Sequence, residues 1–348
     1  MSAQSWSFLN LAQDTKLTVS FRLLLSLYLI IPICLLLQVF DSWFLQDYLK
    51  AHLPASPTHF LLFQILFGTP HIIASTVVLV TNKDYLQRYQ GKLLGMTLVL
   101  ALIFGIGSLF IPYRVFYILV AGWTVLHVLK QQHGVARGLC RLPAWSFHLL
   151  LGLSVAAGLC IYLGIFLHSS LEPKHIEGLK YLSSGFCICL FLSAFYCQRY
   201  VSTTLGKYFY WANIFLVLSS FYLYMQQYYF LAILAPRLVH DTTAYIFYVT
   251  HDYNKHCQKP QNFLYSLTKH LRWPIFVVLP LLSFALAFAL QAYGDEMVKQ
   301  LTTYFFGVEI RKVITLGVLG YLALMHYYTE SFTWKQDSPY RQFISFSK

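Results

Sequence analysis

Along this chain apolar residues arrive in long uninterrupted runs, not in the alternation of a strand or the one-sided stripe of a soluble helix. Divided at Pro, Gly and charged positions, the pattern predicts about ten helical spans, at 19–40, 59–81, 92–112, 114–135, 145–168, 178–199, 209–234, 235–257, 273–293 and 313–334. Each approaches the length of about 20 residues that a helix needs to cross the hydrocarbon core. The first run is too long for the apolar stretch of a leader and has no small-residue cleavage site, so it reads as a retained anchor. No loop is long enough for a soluble domain and no internal repeat is visible. The expected architecture is all-α, a polytopic transmembrane helical bundle forming one integral membrane domain over residues 1–348.

The eighth span breaks the pattern. Its segment HDTTAYIFYVTHDYNKH, from His240 to His256, holds three histidines, two aspartates and a lysine. Such a helix is costly against lipid and is tolerable only where it faces a bundle interior or a cavity. Spans seven and eight read equally as a bent pair around Pro236.

Composition supports the membrane reading, with 57% hydrophobic and only 11% charged residues. A net charge of +12 raises nucleic acid as a partner, but the cations are scattered over short loops, which points instead to the anionic headgroups of a lipid bilayer and to no nucleic acid. On one side of the predicted topology lie Lys16, Arg22, Lys83, Arg88, Lys92, Arg137, Arg141, Arg199, Lys207, Lys255, Lys259, Lys269, Arg272, Lys335, Arg341 and Lys348. The other side holds about half as many: Lys50, Arg114, Lys174, Lys180, Arg237, Lys299, Arg311 and Lys312. The positive-inside rule then places both termini in the cytoplasm, in a cell inner membrane. The seven cysteines stand singly, mostly in apolar runs, and read as packing residues.

The intramembrane histidines are grouped. His71, His127, His133, His240, His251, His256 and His326 all fall on even-numbered spans. Counting back from the inner end of each span at about 1.5 Å per residue puts His71, His127, His251 and His326 about 15, 12, 9 and 12 Å deep. A lone buried histidine is ordinarily a hydrogen-bonded core residue. Several at one level are harder to satisfy that way, because each unpaired polar group in hydrocarbon costs several kcal/mol, and a shared metal ion would satisfy them together. The predicted metal ligands are His71, His127, His251, His326 and His256.

Spacing assigns further roles. His326 and Glu330 are four apart, on one helical face, as are Asp252 and His256 and also His127 and Gln131. A ligating imidazole commonly donates its other N–H to a carboxylate or carbonyl. Glu330 and Asp252 are therefore candidate catalytic groups, and Gln131 and His133 candidate supporting ones. Lys130 either snorkels to the headgroups or offers its charge to a substrate. His240 and His251 lie about 16 Å apart on an unbroken helix and cannot share one ion, so His240 with Asp241 reads as a relay or second polar site. In FGTPHIIAS, Pro70 and Gly68 predict a disturbed helix beside His71. His52, His59, His148, His168, His175 and His270 fall at boundaries or in loops and read as surface residues.

Imidazole and carboxylate donors without thiolate suit iron, zinc, copper or manganese. A lipid-embedded, aromatic-rich setting favours iron (Fe2+). GTPH (Gly68–His71), the histidines of the fourth span (His127 and His133) and YIFYVTHDYNKH (Tyr245–His256) resemble the Brp/Blh-type bacterial and archaeal membrane β-carotene dioxygenases. That resemblance implies a helical bundle, histidine-bound nonheme iron and oxidative chemistry on a carotenoid-like substrate. The chain departs from the pattern in having Ile72 after the first histidine, a late HxxxxH pair in place of HxxxH, and the additional His326 and Glu330. Membrane desaturases with histidine boxes are not close relatives, since the chain contains no adjacent HH pair.

The leading expectation is thus a membrane nonheme iron oxygenase acting on a lipophilic small molecule. A proton-coupled transporter using the His/Asp residues of span eight as a relay, and a haem-binding membrane protein, are the alternatives.

Overall fold

The computed structural model describes residues 16–258, 262–270, 273–335 and 337–347. It is 84% helical, so the all-α expectation holds. Lys259, Arg272 and Lys348, used in the charge count, lie outside the described residues. In chain order the long helices are α1 (Phe21–Phe44), α2 (Leu61–Thr81), α3 (Lys83–Ile106), α4 (Tyr113–Cys140), α5 (Ala144–Phe166), α6 (Pro173–Tyr200), α7 (Thr204–Met225), α8 (Tyr229–His256), α9 (Ile275–Phe306) and α10 (Leu319–Thr333). Among the described residues six of these, α1, α2, α3, α5, α6 and α9, are long and apolar enough to cross a membrane. The other four carry the more polar sequence that includes His127, His240, His251 and His326.

The chain packs as two compact units. The first is built from the described parts of Met1–Phe21, Leu61–Gly107 and Thr242–Lys348, the second from Arg22–Phe60 and Ser108–Asp241. The chain passes from the second to the first within α8.

In the first unit α2 is central, packed against α3, α9 and α10 and buried at almost every position from Thr69 to Leu79. Its Thr, Ala, Ser and Val side chains are small, which lets neighbouring helices approach where lipid gives no hydrophobic drive for association. Ile73, Val77 and Val78 meet Tyr85 and Tyr89 of α3, Ala244 and Tyr248 of α8, Phe332 of α10 and Tyr340 beyond it. The segment of α8 in this unit is buried throughout from Phe247 to His256, so its polar residues face protein, as their cost in lipid requires. Helix α3, by contrast, turns Leu94, Leu98 and Leu102 outward.

Residues Thr18–Ser20 (β1) and Ser345–Ser347 (β2) pair as parallel strands, with Thr18 opposite Ser345. Asn254 clasps this pair from α8: its Oδ1 accepts the Leu17 N–H at 2.7 Å, and its Nδ2 donates to the carbonyls of Leu17 (2.9 Å) and Phe343 (2.8 Å). Phe21 and Phe346 stack beside it with ring centroids 4.9 Å apart.

In the second unit α4 to α7 pack against one another and α1 lies against α7. The Tyr28 hydroxyl lies 2.9 Å from Gln132 Oε1 and 3.0 Å from Asn213 Oδ1, tying α1 to α4 and α7. Gly164 of α5 admits the Tyr224 ring so closely that a Cβ at that position would collide with it. The chain turns between α7 and α8 at Gln227, whose φ is +66°. Pro236, expected as the bend between spans seven and eight, instead lies inside one continuous helix. The break falls earlier because Gln227 takes the left-handed conformation, which nothing in its residue type announces.

Candidate metal centre

His71 sits at the first turn of a regular helix with an unusual lead-in. Residues Gln64–Gly68 form a π-helical turn, and Thr69 and Pro70 begin the α-helix that runs to Thr81. Pro70 has no N–H to give, and a proline is best accommodated where an amide would go unused. The disturbance predicted at Pro70 therefore takes the form of a widened turn. His71 Nδ1 lies 3.1 Å from the Phe67 carbonyl, which can only accept, so Nδ1 carries the proton and Nε2 presents a lone pair.

His326 and Glu330 stand one turn apart on α10, as their spacing predicted, with Nε2 and Oε1 separated by 3.8 Å. The His326 ring meets the His71 ring edge to face at 5.0 Å between centroids. Ligand atoms of His71 and His326 lie within 4.8 Å of each other. All three side chains are buried. Ligands bound to one ion at about 2.1 Å sit about 3 to 4 Å apart; the His326–Glu330 pair is at that spacing, and His71 and His326 lie within 4.8 Å. The Tyr248 hydroxyl of α8 donates to Glu330 Oε1 at 2.8 Å, holding the carboxylate toward this cluster. These buried histidine and glutamate groups could hold a metal ion.

The second unit brings together another pair. His127 of α4 and His240 of α8 meet edge to face at 4.8 Å between centroids, both buried. Asp241 pairs with Arg237 one turn earlier, at 3.3 Å from Nη2 to Oδ2. His133 instead takes the ordinary core role, with Nε2 3.1 Å from the Ser154 hydroxyl. Gln131 Oε1 accepts from Gln132 Nε2 at 3.2 Å, and Lys130 is exposed.

Of the four histidines that counting places at one depth, His71 and His326 meet in the first unit and His127 meets His240 in the second. His251 is engaged differently: Tyr85 OH lies 2.8 Å from its Nε2, and its ring stacks on Tyr340 at 4.9 Å. Asp252 accepts a hydrogen bond from Tyr265, whose ring stacks on His256 at 4.0 Å. Lys255, counted from sequence among the charges on the cytoplasmic side of the eighth span, is buried, with Nζ 2.7 Å and 3.0 Å from the two Asp84 oxygens and 3.5 Å above the Tyr85 ring. The six boundary histidines, His52, His59, His148, His168, His175 and His270, are exposed.

Tyr248, Tyr85, Asp84 and Arg237 escaped the sequence reading. Only Arg237 had a legible signal, four residues before Asp241 on one helix. A tyrosine in an aromatic-rich chain carries no mark of the carboxylate it will meet.

Comparison with known protein families, curated proteins and solved structures gives no match for this chain.

Proposed function

We propose that the chain is an integral membrane metalloenzyme, a nonheme iron oxygenase acting on a lipophilic, carotenoid- or lipid-like small molecule. The observation that carries this reading is the set His71, His326 and Glu330: two imidazoles and one carboxylate, buried, from two helices of one unit, with His326 3.8 Å from Glu330. Two histidines and a carboxylate are the donor set that nonheme Fe(II) oxygenases use, with positions left open for other ligands. Iron would supply the redox chemistry that no side chain here can. The protein's own part is positional: the Phe67 carbonyl fixes which His71 nitrogen faces the ion, and the Tyr248 hydroxyl orients Glu330. The resemblance of GTPH and the histidine-bearing segments to the β-carotene dioxygenases supports a lipophilic substrate.

In the same reading α4, α7, α8 and α10 cross the bilayer with the six more apolar helices, ten crossings in all, in a cell inner membrane with both ends cytoplasmic. β1 precedes α1 and β2 follows α10, and strands bonded to each other lie on one side of a membrane, which supports an even number of crossings.

Elemental analysis of the chain purified in mild detergent tests the proposal. Iron near one per chain is expected, falling at least about tenfold in His326→Ala and in Glu330→Ala. A folded wild-type chain with no transition metal after anaerobic reconstitution with Fe2+ would end it.

The buried charges of α8 favour one competing reading, a proton-coupled transporter, with His240, the Arg237–Asp241 pair and the Lys255–Asp84 pair as titratable stations. Proteoliposome flux that His240→Ala abolishes, from a metal-free chain, would favour it.

A further inference from the structure

A cavity of ≈ 60 Å³ lies in the second unit among α4, α5, α7 and α8. Its wall is aliphatic, formed chiefly by Val125, Leu129, Ile161, Val217 and Ile233. Two hydroxyls of the lining residues are engaged by their own helices. Thr124 donates to its own helix at the Val120 carbonyl (2.9 Å), and Ser220 does the same at Leu216 (2.9 Å). Arg237 closes one edge with its guanidinium directed to Asp241. A space walled in this way presents no polar surface and offers water few partners. The space is smaller than the roughly 150 Å³ that holds a benzene ring, so it suits the end of a chain and not a ring.

Two of the helices that wall the cavity, α4 and α8, also carry histidines close in sequence to its lining residues. Thr124 and Val128 flank His127 within a turn of α4, and Pro236 and Arg237 precede His240 by a turn of α8. The two rings meet at 4.8 Å.

We propose that this cavity receives the hydrocarbon chain end of the protein's lipophilic substrate, so that the next carbons of the chain run beside the His127–His240 pair. The inference rests on the reading of the protein as an enzyme of lipophilic substrates and adds the substrate's form: a flexible aliphatic terminus. Gly158 helps set the cavity's shape, since a Cβ there would come within 3.0 Å of Val125 Cγ1 and 3.3 Å of Leu129 Cδ1, both in its wall.

The test uses the full chain in lipid nanodiscs with a fatty acid that bears a photoreactive diazirine at its methyl end. Peptide mapping after illumination is expected to find the label concentrated at Val125–Leu129, Ile161, Val217 and Ile233. Ala232→Leu and Val217→Phe, two independent fillings of the space, are each expected to cut that labelling about tenfold, the scale on which an apolar pocket rejects added bulk. Thermal melting of each variant identifies any that fails to fold, and the other then decides. Label spread evenly over outward faces such as that of α3, or unchanged by both fillings, overturns the proposal. Metal content of the same samples separates the two claims: label in the cavity of a metal-free chain keeps the chain-end site and removes the metalloenzyme, whereas a metal-loaded chain without cavity label does the reverse.

Discussion

Glu330 shows how a single side chain acquires its role from its neighbours. It faces His326 one turn earlier and accepts the Tyr248 hydroxyl from another helix, so one of its oxygens is oriented before any ligand arrives. Removing a hydrogen-bond partner of a ligand typically costs 10- to 100-fold in metal affinity, so Tyr248→Phe should weaken iron binding about that much while leaving the melting temperature close to wild type. Competition with a calibrated chelator measures this. The Asp84–Lys255 pair is energetically asymmetric: the ammonium is buried and the carboxylate is 59% exposed. Asp84→Asn strands a buried cation and should destabilise the fold by about 1 to 3 kcal/mol, discounted for the solvent around Asp84. Lys255→Met removes the charge along with its need for a partner and should cost less, an ordering that paired melting curves would show or reverse. At this scale the sequence disclosed donor types and their helical spacing, which is why His326 with Glu330 was legible. It did not disclose which histidines would meet, because the His71–His326 and His127–His240 contacts join residues far apart in the chain and depend on how helices pack.

At the scale of elements, ten apolar or near-apolar stretches became long helices because length and hydropathy are local properties. Their edges moved where local rules compete. α3 begins at Lys83, well before the predicted residue 92, since KDYLQRYQGK forms helix readily although it is too polar to be recognised as a span. α7 ends at Met225 and not near 234, because the turn at Gln227 uses a residue without the conformational freedom of glycine. Within α8, Asn254 serves as a fastener between a helix and two chain segments remote from it. Asn254→Ala leaves the Leu17 N–H and the Leu17 and Phe343 carbonyls without this partner and should cost about 1 to 3 kcal/mol. Hydrogen exchange should quicken at residues 17–20 and 343–347 ahead of α2. Unchanged protection there would show that the strands hold without the clasp.

For the whole molecule, the division into two units was invisible in the sequence, because both draw on segments from distant parts of the chain and α8 serves both. The pairing of β1 with β2 makes a topological prediction. Cysteines placed at Thr18 and Ser345, in a chain with its native cysteines removed, should react with a membrane-impermeant maleimide from the same face of sealed vesicles. Labelling from opposite faces would contradict the strand pair and the even number of crossings. That pair also imposes an order on biogenesis. Residues 18–20 leave the ribosome before α1, and their partners at 345–347 emerge only after α10, so the clasp cannot close until translation has passed all the helices between them. An arrested or prematurely terminated product therefore displays an open strand and an unsatisfied Asn254, a chemical record of incompleteness that a quality-control protease can read.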